Sequence, residues 1–321
     1  MAKPFKLEVA TIINQYNKKL DFVIKEDLSI LKDIKRKVID SGGKRIRPLT
    51  HYFFSQLLHY KGIEWLDVGT IAELIHAASL LHDDVIDGAE VRRGKPTVGK
   101  LYGNKTAILA GDFLLACGID HLNKLNNPEL MRIFTGVIRD LSVGELIQMQ
   151  WEKNPKIKMH EYNKIIFGKT ASLFGAVCET AGVLAKSDTN LINRLRKFGI
   201  DMGMIFQIKD DYIDYFQSSE NSGKVQMKDF LNGLFTYPII VLKEKSSKLE
   251  LKEIVAIFAK SKRSLSDISR IHELLYKYEI KKYCLAELTN LSNSLIETLL
   301  NFEDNEIRKN MLYKIEELVA E

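Results

Sequence analysis

Apolar residues in this chain recur three and four positions apart over long stretches, the spacing that lines up one face of an α-helix. Ile71, Leu74, Ile75, Ala78, Leu81 and Val85 keep it over most of four turns, and Leu191, Leu195, Phe198, Met202, Ile205 and Ile208 do the same further on. Alternation of period two, the mark of a half-buried strand, is almost absent. Prolines are few (Pro4, Pro48, Pro96, Pro128, Pro155, Pro238), which leaves long intervals for helix. The pattern predicts an all-α protein of about ten to thirteen helices joined by short polar connectors.

Breaks in the pattern mark the connectors. Ser41-Gly42-Gly43 interrupts a helix, and Pro48 stands near the start of the next. Gly88 to Thr97 reads as a loop rich in Arg, Gly, Lys and Pro, and Asn126-Asn127-Pro128 and Asn154-Pro155 read as turns. Gln217 to Lys228 is polar and reads as a loop. No linker or low-complexity tract divides the chain, so residues 1–321 are expected to form a single domain. The amphipathic helices after Pro238 carry no motif and read as scaffold.

Composition narrows the picture slightly. The 321 residues are 45% hydrophobic and 28% charged, ample for a core, with a formal net charge of +5. No cluster of basic and aromatic residues suggests a nucleic-acid partner. Cys117, Cys178 and Cys284 are widely separated, against a disulfide framework or a structural zinc site. The first twenty residues are interrupted by lysines and Glu8, unlike a signal peptide. No stretch reaches the roughly 18 apolar residues of a transmembrane segment. The expected location is the cytoplasm.

The chemistry enters with an acidic motif that occurs twice. Leu80-Leu81-His82-Asp83-Asp84-Val85-Ile86-Asp87 and Gln207-Ile208-Lys209-Asp210-Asp211-Tyr212-Ile213-Asp214 are both DDxxD following an apolar helical stretch. On a helix the first and last aspartates of each motif, four apart, share a face and repel each other. Repeating that cost calls for a compensating cation. Carboxylates without His or Cys favour a hard ion such as Mg²⁺, which keeps waters and is shared with substrate phosphate oxygens. One DDxxD is as easily a solvated helix end; two, each closing an apolar helix, are not. His82 beside the first motif reads as packing or support, since Mg²⁺ disfavours imidazole. Asp112 reads likewise.

Cationic companions accompany the aspartates. Gly42-Gly43-Lys44-Arg45-Ile46-Arg47-Pro48 sets Lys44 and Arg47 on adjacent turns, within reach of one anion. Arg92-Arg93-Gly94-Lys95-Pro96-Thr97 follows the first acidic motif, and arginine is the best fork for phosphate oxygens. Lys169-Thr170 follows Gly168, Gln207 lies one turn before Asp210, and Gly223-Lys224 lies in the polar loop. Each is weak singly.

Taken in order, GGKRIRP, LLHDDVID, RRGKPT, GDFLLA, GKT, FQIKDDYID and the tail GKVQMKDFLNGLFTYP resemble the trans-isoprenyl diphosphate synthases, or polyprenyl synthetases, from about Gly42 to Pro238. The resemblance implies an isoprenoid-synthase helical bundle around a central cavity. It also implies repeated condensation of isopentenyl diphosphate with an allylic primer, expected to be farnesyl diphosphate in this branch. It assigns Lys44, Arg47, His76 and Arg93 to the diphosphate of isopentenyl diphosphate. Asp83, Asp84, Asp87, Asp210, Asp211 and Asp214 match the aspartates that hold about three Mg²⁺ around the allylic diphosphate. Arg92, Lys169 and Lys224 match direct contacts to that group, and Lys169, Thr170 and Gln207 line the reaction centre. The allylic C–O bond ionises, the isopentenyl double bond attacks, and the released pyrophosphate takes the proton. A homodimer, and a peripheral membrane contact for product release, are further expectations.

The tail departs from the family. Asp229 and Gly233 align, but Leu234 stands where the family places a lysine that touches the allylic diphosphate. Weaker binding of the allylic substrate is expected. No residue is inserted within Asp83–Asp87, as in the long-chain branch. At 1.5 Å per helical residue, Ala78 and Ser79 lie about 7 Å behind Asp83, where small side chains would leave a tunnel open, with Ile75 a turn deeper. A product of roughly thirty to fifty carbons, as in quinone side chains, is expected from that ruler. The alternatives are a short-chain farnesyl- or geranylgeranyl-type synthase and a non-catalytic subunit of a heteromeric synthase. A terpene cyclase would lack the Lys44/Arg47 pocket.

Overall fold

The structure, a computed structural model, describes residues 3–40, 44–217 and 227–319. Among these residues it is helical throughout, save one two-stranded hairpin. The chain divides into two compact units: residues 1–138 with 173–196, and residues 139–172 with 197–321.

In the first unit, helix α4 (Glu64–Ile86) packs against α1 (Lys3–Val23), α3 (Ile46–Leu57), α5 (Val98–Tyr102) and α6 (Asn104–Lys124). Its predicted apolar stripe is buried from Ile71 through Leu81. Leu74, Ala78 and Leu81 share one core with Ala107, Ala110 and Leu114 of α6 and with Leu20 and Ile24 at the end of α1 and just beyond. Burying each large aliphatic side chain there contributes roughly 1.5–3 kcal/mol. A second cluster joins α1 to the start of α4. Tyr16, fully buried, donates its hydroxyl to the carbonyls of Pro48 (3.0 Å) and Trp65 (3.2 Å). Its ring lies against Gly69, where a Cβ would come within 2.3 Å of Tyr16 Cε1.

Helix α4 ends in a Schellman motif: Gly88 has φ of 60°, its N–H donates to Val85 O (3.2 Å), and Ala89 N–H donates to Asp84 O (2.9 Å). The predicted loop that follows contains a small hairpin, β1 (Val91–Arg92) and β2 (Lys95–Pro96). Its turn residues Arg93 and Gly94 have φ of 51° and 74°, as a tight primed turn requires. Strands two residues long leave no readable alternation. Thr97 then caps α5, its hydroxyl accepting from Lys100 N–H at 3.1 Å. A long helix α7 (Pro128–Trp151) begins in this unit, which also contains most of α9 (Ser172–Leu184).

In the second unit, α8 (Met159–Ile166) runs into a π-helical turn over Phe167–Ala171. Helix α10 (Thr189–Phe216) is joined to α15 (Ile280–Leu300) through Asp201, which accepts from Ser294 Oγ (2.8 Å) and pairs with Lys197. The expected loop over Gln217 to Lys228 falls mostly outside the described residues; beyond it a one-turn helix α11 (Lys228–Asn232) leads into α12 (Tyr237–Lys245), which packs against α8 and α15. Phe230 and Phe235 meet Phe258 of α13 (Lys248–Phe258), with ring centroids 5.2 and 4.4 Å away.

Candidate active site

Both acidic motifs sit at helix C-termini. Asp83 and Asp84 lie in the last turn of α4 with Asp87 as its cap, and Asp210–Asp214 occupy the last two turns of α10. Unsatisfied carbonyls and the negative end of the helix dipole add to the carboxylate charge there. Each position is therefore more strongly cation-seeking than the spacing alone indicates.

Within each motif the second aspartate is buried and held by the protein. Asp84 Oδ1 accepts from Arg92 Nε at 2.6 Å. Arg92 thus reaches back from β1 to the motif itself. Asp211 accepts from the Tyr162 hydroxyl (2.7 Å), the Tyr237 backbone N–H (3.2 Å) and Gln207 Nε2 (3.0 Å). Burial raises the Asp211 carboxyl to about 6 despite these three donors, with Asp210 adding to the rise. Asp214 is buried too and caps α11, accepting from the N–H groups of Lys228 and Asp229, both at 3.0 Å. Asp83 is partly exposed, while Asp87 and Asp210 are exposed.

The first unit also assembles a cationic group. Arg47 is partly buried and rests 4.3 Å above the Phe174 ring. Desolvation lowers its guanidinium to about 10, Glu73 opposing and Arg93 reinforcing the change. His76, partly exposed on α4, is held well below the usual imidazole range by burial and then by Arg47, Arg93, Arg92 and Arg45. Burial disfavours the charged imidazole first, and the four guanidinium charges add to that. Arg47, His76 and Arg93 are thereby brought into one electrostatic environment. Lys44 is exposed just ahead of α3.

Arg45, not anticipated as a site residue, supports this group. It adopts φ of 47° at the start of α3 and pairs with buried Glu73 at 2.5 Å. It also donates to Ile39 O (3.0 Å) and Asn17 Oδ1 (3.2 Å). A lone arginine within a basic run gives no sequence sign that it is the one turned inward.

In the second unit, Lys169 and Thr170 ride on the π-turn. Its approach to α7 depends on two glycines. A Cβ on Gly168 would lie 2.6 Å from both Asp140 O and Gly144 Cα, and one on Gly144 would lie 2.8 Å from Gly168 Cα. On the other side, a Cβ at Gly203 of α10 would sit 2.5 Å from Ala171 Cα. Thr170 Oγ1 donates to Gln207 Oε1 at 3.3 Å and Gln207 donates onward to Asp211, so Thr170, Gln207 and one aspartate form a single hydrogen-bonded chain. Lys169 Nζ stands 2.5 Å from Glu145 of α7, an acid the sequence did not single out.

The chain-length residues separate. Ala78 and Ile75 are buried, and Ala78 belongs to the core shared with α6, whereas Ser79 is partly exposed with its hydroxyl donating to His76 O at 2.9 Å. His82 packs where a Cβ on Gly111 would intrude at 2.3 Å, and its Nε2 lies 3.3 Å from Asp112 and 3.2 Å from Ile108 O. Leu234 is partly buried, its N–H donating to Asp229 O at 2.9 Å behind Gly233 with φ of 80°. Lys224 lies outside the described residues.

The donor chemistry fits Mg²⁺. Among the described residues no three carboxylate, imidazole or thiolate groups gather tightly enough to hold an ion by themselves. An ion that keeps waters and takes phosphate oxygens needs only one or two carboxylates at a time. Aspartates directed outward at a helix C-terminus supply that.

Among the described residues the chain is thus a helical protein, with an aspartate motif at each of two helix ends and a clustered arginine–histidine group. Residues 28–275 match the family described as polyprenyl synthetase, and the chain belongs to that family. It is 33% identical over 264 residues to solanesyl diphosphate synthase 2, chloroplastic, of Arabidopsis thaliana, covering 79% of this chain and 63% of that protein. The alignment thus spans less than two thirds of that relative's length. Heptaprenyl diphosphate synthase component 2 of Bacillus subtilis is 33% identical over 243 residues, covering 75% of this chain and 70% of the relative. A decaprenyl diphosphate synthase structure from Rhodobacter capsulatus superposes with a TM-score of 0.90 at 26% identity, covering 98% of this chain and 97% of that one.

Proposed function

We propose that this chain is a Mg²⁺-dependent prenyltransferase that adds isopentenyl diphosphate repeatedly to an allylic primer such as farnesyl diphosphate, giving a long all-trans polyprenyl diphosphate for quinone side chains. The observation that carries the proposal is the shared construction of the two acidic motifs. Each holds its second aspartate by internal hydrogen bonds, at a helix end whose dipole already favours a cation. The long-chain names of the relatives support the product class. The continuous family match over 28–275 supports treating the chain as one domain.

In this proposal Asp83, Asp87 and Asp210 hold the metal, while Asp84, Asp211 and Asp214 fix the geometry behind them. Mg²⁺, when bound, offsets the charge that builds on the departing diphosphate. Arg92 and Lys169 bind that diphosphate, and Lys224 is assigned there by resemblance. Arg47, Arg93 and Lys44 bind the diphosphate of isopentenyl diphosphate, with His76 neutral beside them to donate a hydrogen bond. Thr170, donating to Gln207, keeps its lone pairs available; with the Gln207 carbonyl they direct oxygen dipoles toward the developing allylic cation. The site must exclude water, which would quench that cation. Pyrophosphate accepts the lost proton, so no protein base is assigned.

Exposed Ile108, Leu109 and Ile119 on α6 support a homodimer formed through that helix. Three free cysteines support a reducing, cytoplasmic setting. No helix among the described residues is long and apolar enough to cross a membrane; a peripheral membrane contact for product release is part of the proposal.

The test is to incubate pure protein with farnesyl diphosphate, isopentenyl diphosphate and Mg²⁺ and resolve products by mass spectrometry. Consumption of isopentenyl diphosphate, abolished by chelation and restored by Mg²⁺, is expected. Leu234 and the name of the Bacillus relative, a heptaprenyl diphosphate synthase component 2, favour one second reading, a subunit of a heteromeric synthase. Silence from the pure chain, rescued by a partner subunit, would select it.

A further inference from the structure

We infer that Glu145 is a positioning residue for Lys169, a built-in counter-charge that limits how tightly this lysine holds the diphosphate released at each addition. The inference rests on the proposed role of Lys169 and assigns a function to a side chain outside the motifs. Glu145 Oε2 lies 2.5 Å from Lys169 Nζ, and the two side chains are 12% and 22% exposed. Water and salt therefore screen the pair much less than a surface ion pair.

The backbone fixes the pair. Gly144 and Gly168, the residues immediately before the two partners, touch so closely that a Cβ on Gly144 would come within 2.8 Å of Gly168 Cα and 2.9 Å of Lys169 N. Helix α7 and the π-turn are thus locked in register at the point where the carboxylate and the ammonium meet. The two meet as a close ion pair, and Glu145 Oε2 has no hydrogen-bond donor of its own, so its charge is balanced chiefly by the Lys169 ammonium. Lys169 is held in place by the backbone contact, while the carboxylate beside it offsets much of its charge. A synthase that must release pyrophosphate before the next addition benefits from that division: orientation is retained, and the electrostatic hold is moderated.

Glu145→Gln keeps an oxygen acceptor for Lys169 and removes the negative charge. It is expected to tighten binding of inorganic pyrophosphate with Mg²⁺, measured by titration calorimetry on the full chain, by about tenfold. Inhibition of isopentenyl diphosphate consumption by added pyrophosphate should strengthen by the same factor. Glu145→Asp, which keeps the charge, should bind pyrophosphate no more tightly than the parent. In a Lys169→Met background the Glu145→Gln effect should vanish, a result that a merely structural role would not produce. Unchanged or weaker pyrophosphate binding in Glu145→Gln, or equal tightening without Lys169, overturns the inference and leaves the proposed function standing. A Glu145→Gln chain that loses its helical content also overturns it, since the acid would then be holding the fold. If the parent and Lys169→Met bind pyrophosphate equally, the role of Lys169 fails and the inference with it.

Discussion

Gly168→Ala puts the reaction-centre geometry to a direct test. The added methyl would meet three backbone atoms, Asp140 O and Gly144 Cα at 2.6 Å and Gly144 N at 2.9 Å. None can rotate away as a side chain would. Ordinary contact begins at 3.4 Å, so α7 and the π-turn must separate by about 0.8 Å. Overpacking of this kind costs about 1–3 kcal/mol. The larger effect is on chemistry, because Lys169 and Thr170 follow directly and Thr170 bonds Gln207 at a long 3.3 Å. Misplacing reacting groups by about 1 Å can lower turnover about a hundredfold. Gly136→Ala on the same helix α7 is the control, since a Cβ there meets nothing within 4 Å. It should leave activity unchanged and stabilise the helix by up to about 1 kcal/mol. Steady-state isopentenyl diphosphate consumption and thermal melting of both variants make the comparison. A Gly168→Ala protein with parental turnover would refute the claim that this contact sets the positions of Lys169 and Thr170.

Other outcomes follow from the same structure. Ser79→Phe, at the partly exposed position, should shorten the products resolved by mass spectrometry; Ala78→Phe, within the α4–α6 core, should lower stability by about 1–3 kcal/mol, read by urea unfolding. Leu234→Lys should lower the apparent KM for the allylic substrate, and an unchanged or higher KM would remove this position from the diphosphate site. His51 of α3, with Nδ1 2.6 Å from Val177 O and Nε2 buried without a partner, is pulled down to about 4 chiefly by burial. The unfolded chain takes up that proton first, near 6.5, so stability is intact above that pH and falls as the pH drops toward 4. The loss between pH 7.5 and 4.5 should be about 2 kcal/mol, absent in His51→Gln, as read by urea unfolding at both pH values.

Much of the molecule was determined locally. The stripe from Ile71 to Leu81 is buried as its spacing requires, because the side-chain direction on a helix follows from backbone period alone. The twin DDxxD motifs declared a cation-seeking character for the same reason, since carboxylates four apart on a helix cannot avoid each other. What sequence left undecided was the division of labour among like residues. Asp84 and Asp211 are ordinary members of their motifs until Arg92, Tyr162 and Tyr237 are brought to them from elsewhere in the chain. Arg45 and Arg47 stand two apart in one basic run, yet one turns to Glu73 and the other lies over Phe174. Glu145 gave no signal because its partner is 24 positions away and meets it only through the Gly144–Gly168 contact. Burial, pairing and pKa depend on groups far along the chain, so tertiary packing alone could set them, whereas helical period and like-charge repulsion act between neighbours and are written in the sequence itself.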